Sequence, residues 1–90
     1  MVTLGQAEDQ DAIKQRVANT LAQEGVLRVK GVIDVAGKPA RLVVQGFGPR
    51  VDCYYDRPWA DGEMRQSRLV VIGLHDFDRA AAEAALKPPV

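Results

Sequence analysis

Ninety residues, 47% of them hydrophobic and 27% charged, suffice for one modest core and no more. Twelve basic residues balance twelve acidic ones, so no bulk charge draws the chain to nucleic acid or to an anionic membrane. A lone cysteine allows no internal disulfide, no apolar run approaches the roughly 18 residues of a membrane span, and no signal peptide follows Met1; a cytoplasmic, soluble single domain over residues 1–90 is expected.

The opening Val2-Thr3-Leu4, with Gly5 behind it, fits either a short strand or a loose lead-in over residues 1–8. From Asp9 the period becomes helical: Ile13, Val17 and Leu21 recur at i, i+4 and i+8, beside Ala12, Ala18 and Ala22. Asp9 can cap the orphan N–H groups of the first turn, and Gly25 suits the residue just past the helix end. The narrow apolar stripe predicts a helix lying on a flat surface.

Val26 to Val35 alternates, with Leu27, Val29, Ile33 and Val35 on one side and Arg28, Lys30 and Asp34 on the other. Gly31 falls on the apolar side, where a helix could approach closely. Ala36-Gly37-Lys38-Pro39 is turn chemistry, and Ala40 to Gly46 alternates again with Leu42 and Val44 inward, so a hairpin is expected. Gly46-Phe47-Gly48-Pro49 reverses the chain into a strand from Arg50 to Asp56, with Val51, Cys53 and Tyr55 on one face. Arg57 to Gln66 reads as a loop, because Pro58 lacks a ladder donor and Asp61-Gly62 is a turn pair. Ser67 to Leu74 carries the unbroken apolar run Leu69-Val70-Val71-Ile72, which suits a central strand. Asp78 then caps an alanine-rich helix to Leu86, ended by Pro88-Pro89 in a tail over residues 87–90.

A helix joining the first two strands makes them parallel and leaves room between them. The expected fold is therefore α+β in two layers: a mainly antiparallel four- to five-stranded sheet, order 1-5-2-3-4, with both helices on the Leu27/Ile33/Leu42 face. It belongs to the ferredoxin-like neighbourhood without being a copy of it. With the fifth strand central, Ile72→Asp is expected to abolish folding.

Two stretches, LRVKGVIDVAGKPARLVVQGFGPRVDCYYDRPW and SRLVVIGLHDFDRAAAEAAL, resemble the C-terminal domain of the CobW family, P-loop GTPases associated with cobalamin biosynthesis and metal delivery. The likeness rests on Lys30-Gly31, Arg50, Tyr55, Asp56-Arg57-Pro58-Trp59, and Arg68 followed by Leu-Val-Val-Ile-Gly, and it runs from Val26 to Leu86 with the preceding helix. The GTPase half is not in this stretch. There is no GxxxxGK(S/T) loop to cradle phosphates, since Gly37-Lys38 runs into Pro39. The family's Cys-rich metal motif is missing too, with Cys53 alone, and so is a histidine-rich linker. The stretch is thus expected to be an excised domain beginning at an added Met1.

Several side chains admit two readings. Cys53 fits a buried small hydrophobe; a metal role would enlist His75, and two donors are too few for tight zinc or cobalt binding. His75 fits a hydrogen-bonded loop residue. Trp59 could close the edge of the core while Arg57 pairs with a carboxylate, or Tyr54, Arg57 and Trp59 could form an interface, Trp, Tyr and Arg being the residues that anchor interfaces. Arg28, Lys30, Arg41 and Gln45 form an outer sheet face, either simply solvated or a platform for RNA, although aromatics are lacking at the sheet centre. Asp52, Asp56, Asp61 and Glu63 show no spacing that fixes an acid/base site.

The residues thus define no catalytic, metal or cofactor site, and no enzyme activity is expected of this chain alone. The candidate interaction residues are Arg50, Tyr54, Asp56, Arg57 and Trp59. The resemblance implies an accessory domain of a metallochaperone whose missing half holds GTP, Mg2+ and a divalent metal, cobalt or zinc. It also implies the partners: that GTPase domain, a client such as a cobalt chelatase, or a second copy; from the charge balance and hydropathy, no membrane partner is expected and nucleic acid is disfavoured. A small RNA- or metal-binding module is the alternative.

Overall fold

A computed structural model describes residues 1–87 of the chain. Helix α1 (Gln10–Leu21) starts as its cap requires, with the Asp9 carboxylate accepting from the Ala12 N–H at 2.7 Å. Its stripe Ile13, Val17 and Leu21 is buried, joined by Thr20, whose hydroxyl donates to the Arg16 carbonyl at 2.8 Å. The helix closes on Ala22, so Gly25 is not its immediate stop; Gly25 lies in the following turn at φ +86°. Helix α2 (Arg79–Leu86) is capped by Asp78, which accepts from the Ala81 N–H at 2.9 Å. Of the tail expected over residues 87–90, Lys87 caps α2, and the Pro88-Pro89 stop lies outside the described residues.

The strands are β1 (Val2–Leu4), β2 (Val26–Ile33), β3 (Ala40–Phe47), β4 (Arg50–Pro58) and β5 (Ser67–Gly73). They form one antiparallel-paired sheet in the order β1-β5-β2-β3-β4, as expected from the connections. The opening residues are a true strand: Val2 pairs with Leu69 and Leu4 with Ser67. The core lies between the sheet and the helices, where Ile13, Val17, Val29, Ile33, Leu42, Val44, Leu69 and Leu86 are sealed from solvent. Among the described residues no helix is long and apolar enough to cross a membrane.

Four expectations are corrected. A register shift between Val26 and Arg28 against β5 breaks the alternation of β2; Val26 stays buried while Leu27 turns out to 46% exposure, so the inner face is Val29/Ile33/Leu42. Asp34 leaves the outer face altogether and is buried just past β2, where its N–H donates to Ser67 Oγ at 2.9 Å. Arg57 and Pro58 belong to β4, paired with Arg41 and Ala40; an edge strand tolerates proline at its end. Ile72, although central in the sheet, is 41% exposed on the helix-free side, so an Asp there is expected to leave the core intact rather than abolish folding.

Two glycines set the sheet's packing, and the close helix approach is not at Gly31. A Cβ on Gly31 would sit 2.0 Å from the Arg68 carbonyl oxygen of β5, so that position serves strand–strand contact. The helix comes closest at Gly46, where a Cβ would lie 2.6 Å from Leu21 Cδ1 and 3.1 Å from Val17 Cγ1.

Candidate interaction surface

Strand β4 is the sheet edge, and its residues alternate between the α1 side and the open side. Val51 and Cys53 are half-buried opposite Gly46 and Val44, while Tyr55 opposite Leu42 reaches 37% exposure at the core margin. Burial pushes the Cys53 thiol above its ordinary value, the behaviour of a packed thiol rather than a poised nucleophile. His75 is exposed beyond β5. Among the described residues no group of three or more His, Cys, Asp or Glu side chains could hold a metal ion, so the donor set does not fit a metal centre.

The open side carries the candidate residues. Tyr54, 50% exposed, stands opposite Val43. A second register shift, between Arg41 and Leu42, leaves Asp56 as the extra residue of β4. Its carboxylate meets Arg41 side-on, with Nε 2.8 Å from Oδ1 and Nη2 2.6 Å from Oδ2, and accepts from the Arg57 N–H at 2.8 Å. The Arg41 guanidinium accordingly holds the Asp56 carboxyl below its usual range.

Arg57 makes the second fork: Nη1 and Nη2 lie 2.9 and 3.0 Å from the two Glu63 carboxylate oxygens. The Ala60 N–H donates to the same carboxylate at 2.8 Å. Arg57 first, and this N–H second, bring the Glu63 pKa down from 4.5 to about 2. Trp59 is pinned by its N–H donating to the Pro39 carbonyl at 3.0 Å, and Arg65 lies over its ring at 5.6 Å. Its buried indole Nε1–H has no hydrogen-bond partner among the described residues. Arg65 also binds the buried Asp34, Nη2 to Oδ1 at 2.7 Å, which anchors the β4–β5 loop to the sheet.

Asp56, Arg57 and Trp59 therefore form one cluster with Arg41, Glu63 and Arg65, while Tyr54 stands beside it along β4. Arg50 does not join: it sits at the other end of β4, 79% exposed and, among the described residues, paired only with Asp52 at 3.1 Å. Glu63 and Arg65 escaped sequence reasoning, because the carboxylates of the loop showed no spacing signal. Phe47, 70% exposed at the end of β3, was read as part of a turn. The open-side exposure of Val70 (37%) and Ile72 (41%) was hidden inside an apolar run that lacks alternation.

Residues 1–88 match the family model for the cobalamin synthesis protein cobW C-terminal domain. The chain is 52% identical over 86 residues to a zinc chaperone CobW of Sinorhizobium sp., a match covering 96% of this chain and 24% of that protein. It is 39% identical over 79 residues to a zinc chaperone CobW of Pseudomonas aeruginosa, covering 88% of this chain and 21% of that one. Its backbone superposes on the crystal structure of the Zn(II)-bound YjiA GTPase from E. coli with a TM-score of 0.73 at 30% identity, over 93% of this chain and 26% of that chain. The chain thus spans about a quarter of the length of the relatives it matches. Sequence likeness along almost all of the chain and a shared backbone agree: the chain belongs to the CobW C-terminal domain family.

Proposed function

We propose that residues 1–90 act as one accessory interaction domain of a GTP-dependent metal-delivery protein, working in the cytoplasm. The likeness of almost the whole chain to a part of zinc chaperones carries this reading. In it the chain does no catalysis itself. GTP, Mg2+ and the delivered metal belong to a GTPase domain of the same full-length protein, and this domain contacts that half or a client metalloenzyme. The names of the relatives favour zinc as the cargo; the family description speaks of cobalamin synthesis, for which cobalt would be the cargo and a cobalt chelatase the client.

Tyr54, Arg57 and Trp59, with Asp56 and the more distant Arg50, are the proposed contact residues. The two carboxylate forks support this, since side chains already held in place lose little freedom on binding. A homodimer through the β4 edge is disfavoured, because the irregular register at Asp56, Pro58 at the strand end and four charged residues along it oppose strand pairing. The test is titration of the 90-residue protein with the GTPase domain loaded with GTP or GDP. Tighter binding in one state is expected, and Arg57→Ala or Trp59→Ala should weaken it about tenfold, the effect of losing a modest interface anchor. Equal affinity in both states, or unchanged affinity in folded variants, overturns the reading.

A further inference from the structure

The chain's zero net charge conceals an uneven layout. The helix-free face of the sheet presents Arg28 and Lys30 on β2, Arg68 on β5, Arg41 on β3 and Arg50 on β4. Its strand carboxylates are Asp52 and Asp56, and each is already matched, by Arg50 and Arg41. Arg28, Lys30 and Arg68 make no ion pair among the described residues. The register interleaves these three cations with aliphatic side chains: Arg28 lies beside Ile72, Lys30 beside Val70, and Arg68 beside Val32. The result is a basic and aliphatic checkerboard on the two central strands. The β4–β5 loop rises along its flank, so that Val32, Arg68 and Val70 floor a groove walled by Trp59, the exposed Met64 and Glu63, whose carboxylate is already matched by Arg57.

We infer that this groove and checkerboard dock an acidic amphipathic helix of a partner protein, its carboxylates meeting Arg28, Lys30 and Arg68 and its aliphatic stripe covering Val70 and Ile72. The inference rests on the interaction-domain reading, but not on the GTPase domain being the partner. Charge complementarity sets the sign, because three unmatched cations in one patch favour an anionic occupant and repel a basic one. The aliphatic component sets the class. Nucleic-acid platforms place aromatics under the bases, and neither central strand β2 nor β5 has one; Phe47 lies across from Arg28 at the end of β3, Tyr54 lies on β4, and Trp59 walls the groove from the loop. A helix rather than a strand is indicated because the edges resist strand addition, β1 being only three residues long and β4 irregular, charged and ended by proline. The sheet already packs helices on its other face by the same geometry, with apolar stripes on the alternating side chains.

The test is a backbone-amide NMR titration of the 90-residue protein with three ligands. These are a synthetic amphipathic helix with glutamates flanking a leucine stripe, the same helix with lysines in place of glutamates, and single-stranded oligouridylate. The glutamate helix should bind, shifting the β2 and β5 amides and changing Trp59 fluorescence, and should weaken as salt rises past physiological strength, where screening acts within about 8 Å. Lys30→Glu with Arg68→Glu should weaken it about tenfold or more, as expected when two interfacial charges are reversed. The milder Lys30→Gln with Arg68→Gln should weaken it less, and Lys14→Glu on α1 should leave it unchanged. Absence of binding, shifts confined to the helices, equal binding of the lysine helix, or tighter binding of the oligouridylate overturns the inference. Binding of the GTPase domain without any binding of the glutamate helix would leave the interaction-domain reading standing and remove this one. Peptide docking on the sheet with no affinity for the GTPase domain would keep this inference and remove the GTPase domain as the partner, leaving a client in its place.

Discussion

The two faces of β5 are built from one apolar run and meet opposite fates. On the helix side Ser67 and Leu69 are sealed and Val71 is half-buried; on the other side Val70 and Ile72 stay 37% and 41% exposed. A central place in a sheet guarantees paired backbone on both sides, but cover on both faces requires a second layer, and both helices lie on one side. The aliphatic content of the open face is therefore not explained by this chain's own core. It sits instead among unmatched cations, as a surface for something else would.

Substitution across that divide gives the largest contrast. Leu69→Asp places an unpaired carboxylate in the sealed core and should unfold a domain whose whole stability is about 5–15 kcal/mol or less. Ile72→Asp should keep a cooperative thermal transition by circular dichroism. Unfolding by the outer substitution and tolerance of the inner one would mean that the faces are assigned the wrong way round.

The glycines sharpen the same comparison at smaller scale. At Gly46 the obstacle to a methyl group is the end of the Leu21 side chain, which can rotate, so Gly46→Ala should cost about 1–3 kcal/mol in a urea titration. At Gly31 the obstacle is the Arg68 backbone, which cannot turn aside without parting β2 from β5. Gly31→Ala should cost more, and a smaller loss there than at Gly46 would contradict the strand–strand contact.

The smallest expected effect is on pH. Glu63 gives up its proton more readily in the folded chain, at about 2 against an ordinary 4.5, so its contribution to holding the β4–β5 loop is whole above pH 4.5 and is lost as pH falls through about 2. Carbon NMR of the Glu63 carboxyl should give a midpoint near 2, and Arg57→Ala should return it toward 4.5. A midpoint that does not move would mean that the Arg57 fork does not form in solution.

Much of this was legible beforehand, and the failures are specific. Asp9 and Asp78 cap their helices because a carboxylate beside orphan N–H groups needs only local chain. Leu42 and Val44 point inward because period-two alternation is local too. Leu27 was misplaced because one irregular step flips every side chain behind it, and no residue type marks that step. Asp34 was placed on the wet face because its partner, Arg65, is 31 residues away in a loop without periodicity. Of the candidate surface, Asp56, Arg57 and Trp59 were named together, while Glu63, which holds Arg57, and Arg65, which lies over Trp59, were not.

The sequence by itself determined the elements, their connection order and hence the strand order, along with the family, since each depends on local periodicity and on short links that restrict topology. Only the tertiary structure decided which face of β5 is open, that Asp56 is already paired with Arg41 across the strands, and that Arg28, Lys30 and Arg68 gather beside Val70 and Ile72. Those are questions of register between strands distant in the chain. Register is set by packing across the whole sheet, which no single strand encodes.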